Sequence, residues 1–246
     1  MSHAWSIEHP TGSQITSRPG EGEIAALAET QFGHVTRRQL LDLGFSARVI
    51  QLRVNAGWLR PVYRGVYAVG HRPQTMSSRF MAAVLAAGVD AALSNGSAAA
   101  HRGIRGYGGG PIHVTAPNKV LRDRRICAHR SNIPADEVSI WEGIPTTGIS
   151  RTLFDIAATQ GAEAFHAALR QAEFLRRTDT LTLHDLLERY PRRRGARFVR
   201  AGPDQRPLPS RPHLQHPRGR LPRLPRCQGF APAGDQHVHR SQRPHL

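Results

Sequence analysis

Between Ile24 and Gly70 three short helical patterns run directly into a two-stranded hairpin pattern, and this order constrains the chain more than any other feature of its 246 residues. Ile24, Leu27, Ala28 and Phe32 repeat at helical spacing, with Glu21 and Glu23 at the positive end of the helix and Gly33 at its exit. Thr36 and Gln39 have the spacing of a capping box, and Val35 and Leu40 stand where a hydrophobic staple would close over it. A second helix is therefore expected from Arg37 to Leu43, with Gly44 opening a tight turn. Ser46 caps a third helix that ends at Gly57. Trp58–Val62 and Val66–Val69 then flank a connection through Arg64 and Gly65. Three helices and a wing, in this order, make up a winged helix-turn-helix, a device for holding duplex DNA.

The third helix carries the chemistry. On a helical wheel Val49, Leu52 and Ala56 share an apolar arc that Ile50 and Val54 extend, and Ala47, Arg48, Gln51 and Asn55 fall opposite. Arg, Asn and Gln can bond bidentately to guanine or adenine edges, so Arg48, Gln51 and Asn55 are the expected base-reading residues. Arg37, Arg38, Arg53, Arg60 and Arg64 are the expected phosphate contacts, Arg53 being the one nearest the apolar arc. The competing reading is a generic three-helix unit whose arginines are merely solvated.

The formal net charge of +16 favours a polyanionic partner, nucleic acid before membrane. Lys119 is the only lysine, however, and so strong a preference for arginine also follows from GC-rich coding. Charge therefore supports the DNA reading without establishing it. Cys127 and Cys227 lie far apart, outside any C-x-x-C pattern, so neither a disulfide framework nor a zinc site is expected. The first 20 residues read as a disordered tail without the apolar run of a signal peptide, and no stretch is long and apolar enough to span a bilayer. The expected setting is cytoplasmic, with no membrane partner.

From 73 to 201 the pattern predicts a small α+β domain. Helices are expected over Ser77–Ala87, Gly96–Arg102, Glu163–Arg176, Thr182–Arg189 and Arg194–Arg200, with another capped by Ser150 that buries Leu153, Phe154, Ile156 and Ala157. Short strands are expected at Ala91–Ser94, Ile112–Thr115, Ile126–His129 and Trp141–Ile144, the middle two forming a hairpin through a basic turn around Lys119, Arg122, Arg124 and Arg125. No catalytic constellation completes itself. The glycine run Gly106–Gly110 has no following Lys-Ser/Thr and leads into a strand, and Gly96-Ser97 has no paired Asp-x-Asp to hold magnesium. His101, His113 and His129 read as structural histidines with no cysteine or carboxylate at ligand spacing, and Asp155 as a structural acid bonded to Arg151. No catalytic residue, cofactor or metal is expected.

In four patches the chain resembles the AbiEi-like antitoxins of type IV toxin-antitoxin systems, in their actinobacterial form. The patches are Gly33–Leu41, Arg64–Gly70, Ile112–Pro117, and Gly143–Thr147 running into Ser150–Ala157. The resemblance covers roughly Glu23 to Ala201. It implies a winged-helix domain over 21–72, an α+β domain over 73–201, and negative autoregulation through an operator in double-stranded DNA. It also implies a co-encoded nucleotidyltransferase-like toxin as partner.

Many look-alikes continue into a restriction-endonuclease-type domain. Here Pro, Arg, His and Gln dominate from Gly202 onward while Ile, Glu, Tyr and Lys vanish, so 202–246 reads as a disordered Arg/Pro-rich tail. Shifting the frame across Leu221–Gly229 permits Phe-Leu-Ala-Phe-Leu-Asp-Ala-Lys, the start of a plausible amphipathic helix. Loss of the nuclease-like domain by frameshift and a genuine nucleic-acid-binding tail are both open. Two functional alternatives to the regulator also stand: a truncated DNA-targeted nuclease, and a protein-interaction module that uses a winged helix.

Overall fold

A computed structural model describes residues 20–71, 75–117, 123–177 and 179–202. Apart from Gly20 and Gly202, the two expected tails lie outside that set, as do Lys119 and Arg122 of the basic turn. The described chain is a mixed α+β structure: a small helix-and-strand unit carrying a three-stranded sheet, then an α/β unit built on a five-stranded sheet.

The first unit runs α1 (Glu21–Thr30), β1 (His34–Thr36), α2 (Arg37–Asp42), α3 (Ala47–Asn55), β2 (Leu59–Tyr63) and β3 (Val66–Val69). The capping box at Thr36 forms in full. Its hydroxyl accepts from the Gln39 N–H at 3.1 Å, and the Gln39 side-chain oxygen accepts from the Thr36 N–H at 2.8 Å. Val35 and Leu40 are both fully buried, as a staple requires. Gly44 takes the left-handed conformation that turns the chain into α3, where the Ser46 hydroxyl accepts from the Val49 N–H. The sequence pattern missed β1, three residues that pair antiparallel with β3 and so bind the turn before α2 to the wing. Ile24, Ala28, Val35, Leu40, Phe45, Ile50 and Leu59 form the core of this unit.

The second unit comprises α4 (Met76–Ala87), β4 (Ala92–Leu93), α5 (Asn95–His101), β5 (Ile112–Ala116), β6 (Ile126–Arg130), a 3-10 turn (Ala135–Glu137), β7 (Val138–Trp141), β8 (Ile144–Thr147), α6 (Ile149–Gln160), α7 (Ala162–Phe174), α8 (Leu183–Arg189) and α9 (Ala196–Ala201). Its sheet has the order β6-β5-β4-β8-β7. Three expectations are corrected here. β5 and β6 pair in parallel and do not form a hairpin. The strand expected at Trp141–Ile144 is the turn of a hairpin, with Glu142 and Gly143 both at positive φ between β7 and β8; this pair of left-handed residues matches the natural twist of the flanking strands. Finally, α6 is capped by Gly148 and not by Ser150, whose N–H instead donates to Asp179 at 2.9 Å. A Cβ on Gly148 would stand 2.7 Å from that carboxylate, so the absence of a side chain is what admits Asp179 to the helix end.

Two further cores fill the second unit. α4 packs on the sheet through Phe80, Met81 and Val84, against Leu93, Ile112, Val114 and Ile144. On the other side Leu153, Phe154 and Ile156 of α6 meet Phe165 of α7 and Leu186 of α8. Val66 of the wing belongs to the α4 core, with Phe32 and Tyr63 packed against it. The two units are therefore joined by shared apolar packing. Arg125 adds a polar tie, donating to the Val62 carbonyl at 2.8 Å while its guanidinium lies over the Tyr63 ring.

Asp155 is the structural acid its position suggested. Arg151, almost wholly buried, pairs with Asp155 one turn on and with the fully buried Glu137. Arg193 reaches Asp155 at 2.6 Å, and Arg189 and the Tyr190 hydroxyl reach Glu137 at 2.6 and 2.8 Å. Every buried charge in this cluster has an opposite partner, the condition under which burial of charge is tolerated.

Candidate nucleic-acid interface

The site is built on α3. Of its side chains only Ile50 is fully buried, and Arg53 and Val54 are half-buried beside it. This phase differs from the expected wheel: Val49 is 36% exposed and Leu52 58% exposed, so neither faces the core. Apolar residues are spread so widely around this helix that two phases satisfy the wheel. The choice between them falls to Phe45 and Trp58, whose rings take the guanidinium of Arg53. The outward face carries Ala47, Arg48, Gln51, Leu52 and Asn55, all exposed.

The three residues expected to read bases thus stand together on the surface. Gln51 donates to the Asn55 side-chain oxygen at 2.9 Å, which fixes the two amides relative to each other. The pair keeps the Gln51 oxygen as acceptor and the Asn55 amino group as donor, the complement an adenine edge requires.

Of the expected phosphate contacts, Arg37, Arg38, Arg60 and Arg64 are exposed. The Arg37 N–H donates to the Gly65 carbonyl at 2.8 Å, which brings the start of α2 against the wing turn that carries Arg64. Arg38 makes a loose i,i+4 pair with Asp42, both side chains largely in solvent, so little energy holds it there. Arg60 donates to the Gly57 carbonyl at 3.2 Å, beside the end of α3. Arg53 stands apart. Its side chain is 21% exposed, pairs with Glu21 at 2.9 Å, and lies between the rings of Phe45 and Trp58 at 5.0 and 4.9 Å. Its charge is engaged inside the unit, where it fastens α3 to α1.

Burial raises the Tyr63 phenol above its ordinary pKa, with Arg125 opposing. The wing thus presents a neutral aromatic base beneath its arginines.

Elsewhere His113, Cys127 and His129 approach to within 4.8 Å of one another on β5 and β6. The expectation that no cysteine stood near these histidines is corrected, because parallel pairing sets Cys127 beside His113. The Cys127 sulfur lies 3.7 Å from His129 Nε2. The expectation of no disulfide also involves Cys227, which lies outside the described residues. The two imidazoles bond to each other at 3.0 Å with nearly parallel rings. Burial, then the neighbouring His129, pushes His113 down to about 4; His129 is also lowered, chiefly by burial. Both rings therefore serve as a neutral, mutually bonded pair in the sheet. His101 stands elsewhere, bonded to the Trp141 carbonyl at 2.9 Å.

A helix-turn-helix and a β-wing on a short antiparallel sheet define a winged-helix protein of the transcriptional-regulator class. The chain belongs to the AbiEi antitoxin family: a model described as a transcriptional regulator, AbiEi antitoxin, matches residues 23–70, and one described as the AbiEi antitoxin C-terminal domain matches residues 86–201. Together they span about two-thirds of the chain. No functionally curated protein matches it. Among solved structures, the crystal structure of the Rv2827c protein from Mycobacterium tuberculosis is similar over 73% of this chain and 75% of its own, at 18% identity and a TM-score of 0.45, a likeness too distant to carry an argument. Among the described residues no helix is long and apolar enough to cross a membrane.

Proposed function

We propose that this chain is a sequence-specific DNA-binding repressor of its own operon, of the antitoxin type. The observation that carries the reading is the outward face of α3, where Arg48, Gln51 and Asn55 stand exposed together on a helix held rigidly from behind by Ile50 and Arg53. In this reading α3 enters the major groove, Arg48 takes a guanine edge, and the Gln51–Asn55 pair takes adenine. Arg37, Arg38, Arg60 and Arg64 bond to phosphates on either side and set the register. The co-encoded partner is a nucleotidyltransferase-like toxin, a proposal that follows from family membership alone. The division at residue 72 into a DNA-binding and an antitoxin-like domain is part of the same proposal.

The test is a mobility-shift comparison of the promoter duplex with a scrambled duplex of the same composition. Arg48→Ala and Gln51→Ala should each weaken promoter binding by about 1–3 kcal/mol and leave scrambled binding nearly unchanged. Equal losses on both duplexes would move these residues to the phosphate-contacting class and remove the basis for sequence specificity. A repression assay with a reporter behind the same promoter then separates a bound regulator from a bound bystander.

A further inference from the structure

The outward face of α3 contains one residue that hydrogen bonding to bases does not explain. Leu52 is 58% exposed in the middle of that face, and Val49 is 36% exposed at its flank. Neither contributes to the core of the first unit, which takes only Ile50 and Val54 from this helix. Arg48, Leu52 and Asn55 follow one another at i, i+4 and i+7, a single stripe along the helix with the apolar side chain between two polar ones. An isolated leucine flanked by an arginine and a carboxamide is too small a patch to hold a folded protein, but it matches the one apolar group exposed on base edges in the major groove: the C5-methyl of thymine.

We propose that Leu52 is a specificity-determining residue that packs on a thymine methyl group. The proposal rests on the reading of α3 as a recognition helix. A helix rise of 1.5 Å per residue puts Leu52 about 6 Å along the axis from Arg48, roughly two base-pair steps of 3.4 Å. The thymine is therefore placed one or two base pairs from the guanine that Arg48 reads, on the side towards the adenine taken by Gln51 and Asn55. Val49, at the flank, shields the same methyl from water.

The experiment uses the full chain and its own promoter duplex. Footprinting first locates the half-site, and each thymine within it is then replaced singly by deoxyuridine, which deletes the methyl and keeps every hydrogen-bonding group. Binding of wild type and Leu52→Ala is measured on each duplex. For one or two thymines the substitution should weaken wild-type binding about fourfold, the amount one buried methyl contributes, and should leave Leu52→Ala unaffected. Leu52→Ala should itself lose a similar factor on the unmodified duplex with unchanged thermal unfolding, because the side chain it removes lies outside the core. If deoxyuridine weakens both proteins equally, or no thymine in the α3 footprint is sensitive, the inference fails while the regulator reading stands. If Leu52→Ala instead alters sedimentation and leaves DNA binding intact, the residue belongs to a contact between copies and the inference fails. Absence of binding to any duplex overturns both.

Discussion

Arg53 shows how a single side chain can change role without changing type. By sequence it is an expected phosphate contact, the one nearest the apolar arc; in the structure its guanidinium lies over the rings of Phe45 and Trp58 and pairs with Glu21. Stacking on two rings and burial of its stem should contribute about 1–2 kcal/mol to stability, more than the partly exposed ion pair does. Arg53→Ala is therefore expected to lower the urea midpoint by a corresponding amount while leaving the salt dependence of DNA binding unchanged. Were the slope of log K against log salt to become shallower by about one with stability unaffected, Arg53 would be a phosphate contact instead. Leu52 is the converse case, a residue the apolar wheel places inside and the structure places outside.

Elements whose limits are set by local bonds were legible in the sequence. The box at Thr36 and Gln39 and the Ser46 cap are both formed where their spacing put them. What sequence did not reveal depends on partners far along the chain. The three residues of β1 are strand only because β3 lies beside them, and the parallel pairing of β5 and β6 leaves no local mark. Glu142-Gly143 lacks the Asn-Gly or Asp-Gly signature of a two-residue hairpin turn, so no local mark divides the two strands there. The candidate site was legible in residue type for Arg48, Gln51 and Asn55, and illegible in the phase of α3. Phase is fixed by tertiary contacts to Phe45 and Trp58, which no periodicity within α3 encodes. The join between the two units is likewise tertiary. With Val66 in the α4 core and Tyr63 under Arg125, a fragment ending at residue 72 would expose the wing's inner face. Such a fragment should unfold at a markedly lower temperature than the same segment does in the full chain, or unfold without cooperativity. A sharp transition at the full-chain temperature would show that residue 72 is a folding boundary as well as a proposed domain boundary.

At the scale of the whole molecule, the buried imidazoles link fold to pH. His101, His113 and His129 are all lowered from the ordinary 6.5, each chiefly by burial, with His113 at about 4. In the unfolded chain they take up protons near 6.5; in the folded chain they resist. The unfolded state therefore binds more protons below about 6.5, and stability is lost as pH falls below that value; for His113 the loss runs from about 6.5 towards 4, at up to about 1.4 kcal/mol per pH unit. Urea unfolding at pH 7.5 and at pH 5 should show the fall, and His113→Gln should reduce it. A flat profile between those two pH values would contradict the neutral, buried pair.

The central claim is that this fold grips duplex DNA with one helix and four arginines. Four phosphate contacts by Arg37, Arg38, Arg60 and Arg64 predict that log K falls against log salt with a slope of roughly −4, or about twice that for two chains on two half-sites. The measurement is a fluorescence-anisotropy titration of the promoter duplex across a salt series, with a random duplex beside it. The account predicts that steep slope on both duplexes, with tighter binding to the promoter at every salt concentration. A flat slope, or no binding to either duplex at low salt, would contradict it.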